Sequence, residues 1–306
     1  MAVIVDVSQV VISGASIAYN SHKENLTESM IKNMFLNSIK SFRHKFIGKY
    51  GDPLILAWDG KDYWRKRENQ YYKAHRKAGR EKSSMNWDLI FSSLDTIHKE
   101  ITDYFPYYSI KVDGAEADDI ISVFAEYYSK NELDDSSMFE ADPQELLIIS
   151  NDTDFLQLQT YKNVSQYSQM KRRLIKPKTT AEEFLIEKVI RGDAKDGITN
   201  IFSDPDTFMV EGKRQISCMK PKVEEIKDLW LNNKELPSFL TEEQVDKFHQ
   251  NYKLLCLSEL QLPTDIKDKI ISQYENDDLS NRGTGTIHTY LVKNGMKNFL
   301  REINKF

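Results

Sequence analysis

Leu146-Leu147-Ile148-Ile149-Ser150-Asn151-Asp152-Thr153-Asp154 is the stretch that decides the fold. Four consecutive apolar residues between polar flanks read as a strand buried on both faces, which belongs in a parallel sheet covered by helices. Asp152 and Asp154 then stand where that strand ends. The same unit recurs along the chain: Val3-Ile4-Val5 runs into Asp6, Leu54 to Trp58 into Asp59, and Tyr108 to Val112 into Glu116, Asp118 and Asp119. Between these runs the apolar residues take a helical period, with Ile31, Phe35, Ile39, Phe42 and Phe46 on one stripe and Trp87, Ile90, Leu94, Ile97 and Ile101 on another. Strands alternating with helices predict an α/β fold with a mostly parallel central sheet and flanking helices. Carboxylates that end different strands of such a sheet meet in one crevice.

The 306 residues, 40% apolar and 29% charged, suffice for this unit and a smaller second one. Thr180 with Glu183 and Thr241 with Gln244 have capping-box spacing, so residues 1–179 are expected to form the α/β domain and residues 180–306 a mostly helical C-terminal domain. The acidic stretch Glu132 to Gln144 reads as a surface loop. No run approaches the roughly 18 apolar residues of a membrane span, and Met1 to Ser8 do not resemble a secretion signal. Two cysteines, Cys218 and Cys256, are too few for a disulfide framework, and a cytoplasmic location is expected.

Asp193 and Asp196 add a last pair of carboxylates beyond the first C-terminal helix. Any one of these acids alone is better explained as a turn or N-cap residue. Brought together they would repel one another unless cations neutralised them, and the joint pattern therefore points to metal. No His or Cys interrupts the set, so all-oxygen ligation favours Mg²⁺ or Mn²⁺ over zinc.

The net charge of −5 hides a basic segment at about 61–85, Lys61-Asp62-Tyr63-Trp64-Arg65-Lys66-Arg67 followed by Tyr71 to Arg80. Cations that bind phosphate alternate here with aromatic faces that stack on bases, the combination expected for single-stranded or frayed nucleic acid. Composition alone fits a solvated face as well, but the position directly after Asp59 places a cationic arch beside the acids. Lys171, Arg172, Arg173, Lys176 and Lys178 form a second basic cluster.

Glu116-Ala117-Asp118-Asp119, Ser150 to Leu158 and Gly192-Asp193-Ala194-Lys195-Asp196, in this order and with Asp6-Val7-Ser8-Gln9 and Arg65, Tyr72, Lys73 and Arg76, resemble the 5′ nuclease (flap endonuclease) superfamily. Tyr63-Trp64-Arg65 is similar to its ribonuclease H branch in T-even bacteriophages. The resemblance implies two Mg²⁺ ions, for which Mn²⁺ can substitute. Asp6, Asp59, Asp118 and Asp152 would surround the first ion with Glu116 in support and Asp119 alongside; Asp154, Asp193 and Asp196 would hold the second, largely through water. Lys73 and Arg76 would act with Asp118 and Asp152 in catalysis by polarising the scissile phosphate for in-line attack by water. Tyr63, Trp64, Arg65, Lys66, Tyr72, Arg172 and Arg173 would join them in contacting nucleic acid.

The implied substrates are RNA–DNA hybrids and double-stranded or flapped DNA, and the implied role is removal of RNA primers from lagging-strand fragments in phage replication. Single-stranded-DNA-binding protein and a sliding clamp are the implied partners of a monomer in the host cytoplasm. A PIN-type ribonuclease and a non-catalytic branched-DNA-binding factor stand as alternatives. One departure is visible: Asp196 leads into Gly197 to Asp206 without the Gly-rich hairpin through which flap endonucleases bind duplex phosphates.

Overall fold

The computed structural model describes all residues except 23–25, 131–143 and 259–260. The expected surface loop lies, apart from Gln144, outside the described residues. Six strands form one sheet: β1 (Ala2–Asp6), β2 (Leu54–Trp58), β3 (Tyr108–Lys111), β4 (Leu146–Ile149), β5 (Val164–Ser168) and β6 (Arg173–Ile175). Their order is β3-β2-β1-β4-β5-β6, parallel throughout except for the antiparallel edge pair β5/β6. All four strands read from the sequence are present, and β5 and β6 extend the sheet beyond them.

The uninterrupted apolar runs have a simple cause. Val3, Val5, Leu54, Leu56, Leu147 and Ile149 face one core, while Ala2, Ile4, Ile55, Ala57, Leu146 and Ile148 face a second on the opposite side. Every position of β1, β2 and β4 is therefore buried, and in these strands the period-2 alternation of a half-exposed sheet disappears.

The first core is closed by α1 (Val7–His22), α2 (Glu28–Tyr50) and α5 (Trp87–Tyr104), both predicted stripes facing inward. The second is closed by α6 (Ala117–Tyr127). Thr27 and Asn86 begin α2 and α5 by accepting from the amides of Met30 and Leu89.

Beyond the sheet, α7 (Ala181–Arg191), α8 (Lys220–Asn233) and α9 (Glu242–Leu255) enclose a third apolar cluster, and both predicted capping boxes, at Thr180 and Thr241, are formed. The last helices turn back. α10 (Thr264–Glu275) places Ile266 and Ile270 in the second core, and α11 (Thr284–Lys293) and α12 (Lys297–Leu300) place Ile287, Leu291, Phe299 and the terminal Phe306 in or beside the first. Among the described residues no helix is long and apolar enough to cross a membrane.

Candidate metal and nucleic-acid site

β1 pairs with β2 on one side and β4 on the other, so the sheet reverses its winding at β1/β4. Chains leaving a parallel sheet at such a point diverge and open a crevice at the carboxyl ends of the strands. Asp6 ends β1, Asp59 follows β2 and Asp152 follows β4. Asp6 Oδ1 accepts from the Gln9 amide at 3.1 Å and Oδ2 from Ser150 Oγ at 3.0 Å. Asp59 Oδ1 accepts from the Ala117 amide at 2.9 Å, tying the end of β2 to the first turn of α6, where Glu116 is the N-cap and Asp118 follows. Gln166, reaching from β5, donates to the carbonyls of Ser150 at 3.1 Å and Asp152 at 2.6 Å and so shapes the loop that carries Asp152.

These carboxylates feel one another. Burial, then Asp59 and Asp152, pushes Asp6 up to about 7 against the hydrogen bonds from Gln9 and Ser150. Burial, with Glu116, Asp6 and Asp152, holds Asp118 well above the usual carboxylate range although Lys73 pulls it down. Burial also raises Glu116, yet Lys73 and Arg65 bring it below its ordinary value. A folded-state pKa above the unfolded one means that the native protein holds the extra proton, so stability present at acid pH is lost as pH rises through the folded pKa. The metal-free protein is therefore expected to melt at falling temperature between about pH 4 and 7, the interval between the ordinary and raised values of Asp6. Saturating divalent cation should flatten that slope, and melting curves at stepped pH with and without it provide the check.

Asp154, Asp193 and Asp196 form a second group, each offering an oxygen within 4.8 Å of the others. Lys188 of α7 ion-pairs with Asp154 and, at 2.7 Å, with Asp193. Burial pushes Asp154 up to about 6, with Lys188 opposing and Asp152 adding; burial also raises Asp193, but Lys188 takes it below the usual range.

The loop carrying Asp193 and Asp196 lies between Gly192 and Gly197, with φ of 71° and 72°, a region that L side chains enter only with strain. A Cβ on Gly197 would stand 2.7 Å from the Tyr71 carbonyl and 2.9 Å from His75 Nδ1, on the segment whose Lys73 amide donates to the Asp196 carbonyl at 2.7 Å. Gly197→Ala should cost about 2 kcal/mol or more of stability, the sum of strain and clash. Urea denaturation would measure it.

Lys73 and Arg76 reach the acids from the basic segment, which folds as α3 (Trp64–Glu68) and α4 (His75–Glu81). Lys73 Nζ lies 2.5 Å from Glu116 Oε1 and 3.7 Å from Asp196 Oδ1, and Arg76 pairs with Asp196 at 2.7 Å. Three other members of the expected nucleic-acid surface are inside the protein: Trp64, Arg65 and Tyr72 are 2%, 2% and 3% exposed. Their burial corrects the expectation that they contact a strand. Arg65 pairs with Asp119 at 2.7 Å and Glu116 at 3.3 Å, Tyr72 donates to Glu116 at 2.7 Å, and Trp64 Nε1 donates to Asp119 at 3.3 Å. The indole, the guanidinium and the phenol thus hold Glu116 and Asp119 from the interior.

Asp119, expected beside the first metal, is itself interior, and its second oxygen accepts the Glu116 amide at 2.9 Å. It orients Glu116 and Arg65, with no oxygen left open. Tyr63 remains partly exposed with the Lys66 ammonium 4.5 Å over its ring, and Lys66, Arg172 and Arg173 are exposed. Asn151 Oδ1 accepts from Ser168 Oγ at 2.8 Å and the Met170 amide at 2.9 Å, which pins the β5–β6 turn bearing Arg172 next to the Asp152 loop. Beyond Asp196 the chain runs without helix or strand to α8, held by Asn200 contacts to Gln215 and Ile216, so the departure seen in the sequence is a real absence of a helical hairpin in this span.

Lys188 and Gln166 are neighbours of the acids that no motif marked, whereas Ser150 stood in a motif without a role. Lys188 lies on an amphipathic helix among ordinary charges, and only the fold brings it to Asp154.

A crevice of carboxylates with all-oxygen donors, closed on one side by Lys73 and Arg76, defines a metal-dependent enzyme acting on phosphodiesters. Residues 8–185 match the family described as 5'-3' exonuclease, N-terminal resolvase-like domain, and residues 179–306 match T4 RNase H, C terminal. The chain is 31% identical to Ribonuclease H of Enterobacteria phage T4 over 99% of its own length and 95% of that protein. It is 27% identical to a 5'-3' exonuclease of Buchnera aphidicola over 67% of its length and 70% of that protein. The fold is that of the zinc-bound T5 5'-exonuclease structure, with a TM-score of 0.60 at 18% identity over 90% of this chain and 99% of that one. The chain belongs to the 5′ nuclease family, in the branch that carries the T4 ribonuclease H type of C-terminal region.

Proposed function

We propose that the crevice holds two Mg²⁺ ions, replaceable by Mn²⁺, and hydrolyses RNA–DNA hybrids and double-stranded or flapped DNA from the 5′ end. The observation that carries this reading is the meeting of two carboxylate groups with Lys73 and Arg76 at one strand edge. The donor set fits such ions: Asp6, Asp59, Asp118 and Asp152 for one, Asp154, Asp193 and Asp196 for the other, and oxygen alone in both. Bound there, the cations would neutralise the carboxylates and stabilise charge on the oxygens either side of phosphorus.

The chain's own residues do the rest. Lys73 and Arg76, now seated on Glu116 and Asp196, are placed to exchange those partners for the scissile phosphate. Tyr63, Lys66, Arg172 and Arg173 line the approach, while Trp64, Arg65 and Tyr72 hold Glu116 and Asp119 in place. The relatives' names, Ribonuclease H and 5'-3' exonuclease, support cleavage of RNA–DNA hybrids from the 5′ end; we infer removal of RNA primers from lagging-strand fragments as the role, with single-stranded-DNA-binding protein and a sliding clamp as partners of a monomer in the host cytoplasm.

End-labelled RNA–DNA hybrid and 5′-flapped duplex test the reading. Short oligonucleotides released from the labelled 5′ end of both are expected; cutting of neither, or shortening from the 3′ end, would overturn it.

A further inference from the structure

We propose that Lys188 is the resident counter-ion of the second carboxylate group, and that a divalent cation settles among Asp154, Asp193 and Asp196 only by displacing its ammonium. This rests on the metal reading above and adds a residue and an order of filling to it.

The two carboxylate groups differ in what already neutralises them. In the second, Lys188 touches Asp154 and Asp193, and Asp196 has Arg76 at 2.7 Å and Lys73 at 3.7 Å. Side-chain exposures of 13% for Lys188, 13% for Asp154 and 10% for Asp193 show the contact to be largely closed to water, where ion pairs are weakly screened. In the first group, among the described residues, Asp6, Asp59 and Asp118 have no ion pair, and Asp152 has a single distant one, 3.9 Å from a Lys195 that is 66% exposed.

A cation entering the first group therefore meets unpaired carboxylates. One entering the second must displace an ammonium already ion-paired with two of its ligands. Lys188 is part-buried on α7, five residues before Asp193 and next to the buried Val189, which brings its ammonium to the second group. The first group should fill at lower concentration, and the second should be the weak, readily emptied one.

Calorimetric titration with Mn²⁺, without nucleic acid, separates the outcomes. Wild-type protein should show a strong and a weak class of ion. Lys188→Met, of similar length and uncharged, should tighten the weak class at least about tenfold, since it removes a unit charge at contact distance. The strong class should change by less than about threefold, as expected for a more distant, partly screened charge. Lys188→Gln should act in the same direction and stands in should the Met variant not fold, as judged by circular dichroism. Asp154→Asn in the Lys188→Met background should abolish the gain.

A weak class that is unchanged or loosened in both Lys188 variants, or absent in all of them, would overturn the proposal. Loss of nucleic-acid binding with unchanged Mn²⁺ binding would overturn it too, by making Lys188 a phosphate contact. Failure of the wider metal reading looks different: Asp152→Asn would then leave the strong class intact.

Discussion

Asp118→Asn and Asp152→Asn are each expected to lower single-turnover cleavage by at least about a thousandfold, beyond the 10–100-fold typical of residues that only support a metal ligand. The two carboxylates come from different elements, the first turn of α6 and the loop after β4, and both act on the pKa of Asp6 or share its neighbours. An amide at either place keeps the shape and removes the charge that a cation requires. Substrate affinity should stay within about tenfold, because phosphate binding is spread over many cations. The metal-free variants should also melt at higher temperature than wild type, since each change relieves repulsion among clustered carboxylates. Cleavage at the wild-type rate by both variants would contradict the assignment, and gel-resolved single-turnover kinetics with a filter-binding titration read both halves.

Lys73→Ala is expected to cost at least about a hundredfold in single-turnover rate, the scale of one strong electrostatic stabiliser. The ammonium touches Glu116 at 2.5 Å and lies 3.7 Å from Asp196, so it spans the two carboxylate groups where the phosphate would lie. A cation used mainly in the transition state lowers turnover more than binding, and binding should therefore change by less than about tenfold. Glu116 keeps Arg65 and Tyr72 as partners in the variant, which preserves its position. If the rate at saturating protein were unchanged and only the salt dependence of affinity moved, Lys73 would be a positioning contact and no more.

The strand ends were legible because doubly buried strands are written as unbroken apolar runs, and an Asp after each run marks the edge where parallel chains leave the sheet. The edge strands were not. Val164-Ser165-Gln166-Tyr167-Ser168 is mostly polar because Gln166 and Ser168 are engaged in buried hydrogen bonds to the Asn151–Asp152 loop. Composition could not separate the inward from the outward members of the basic segment either. Trp64, Arg65 and Tyr72 look like their neighbours in sequence, and only their distances to Asp119 and Glu116 show that they carry acids. Long-range pairs such as Lys188 with Asp154 leave no local signal at all. The helical C-terminal half was visible from capping boxes at Thr180 and Thr241, whereas the return of Ile266, Ile287 and Phe306 to the sheet's two cores was not, since amphipathic stripes do not name their partners.

The central claim is that this crevice is a cation-dependent 5′ nuclease centre, and single-turnover cleavage of an end-labelled 5′-flapped duplex across a Mg²⁺ titration, followed by chelator, tests it most directly. The rate should rise from background as Mg²⁺ is added, fall back when chelator removes it, and stay at background throughout for Asp152→Asn. Cleavage that persisted in chelator, or that Asp152→Asn left intact, would place the chemistry elsewhere.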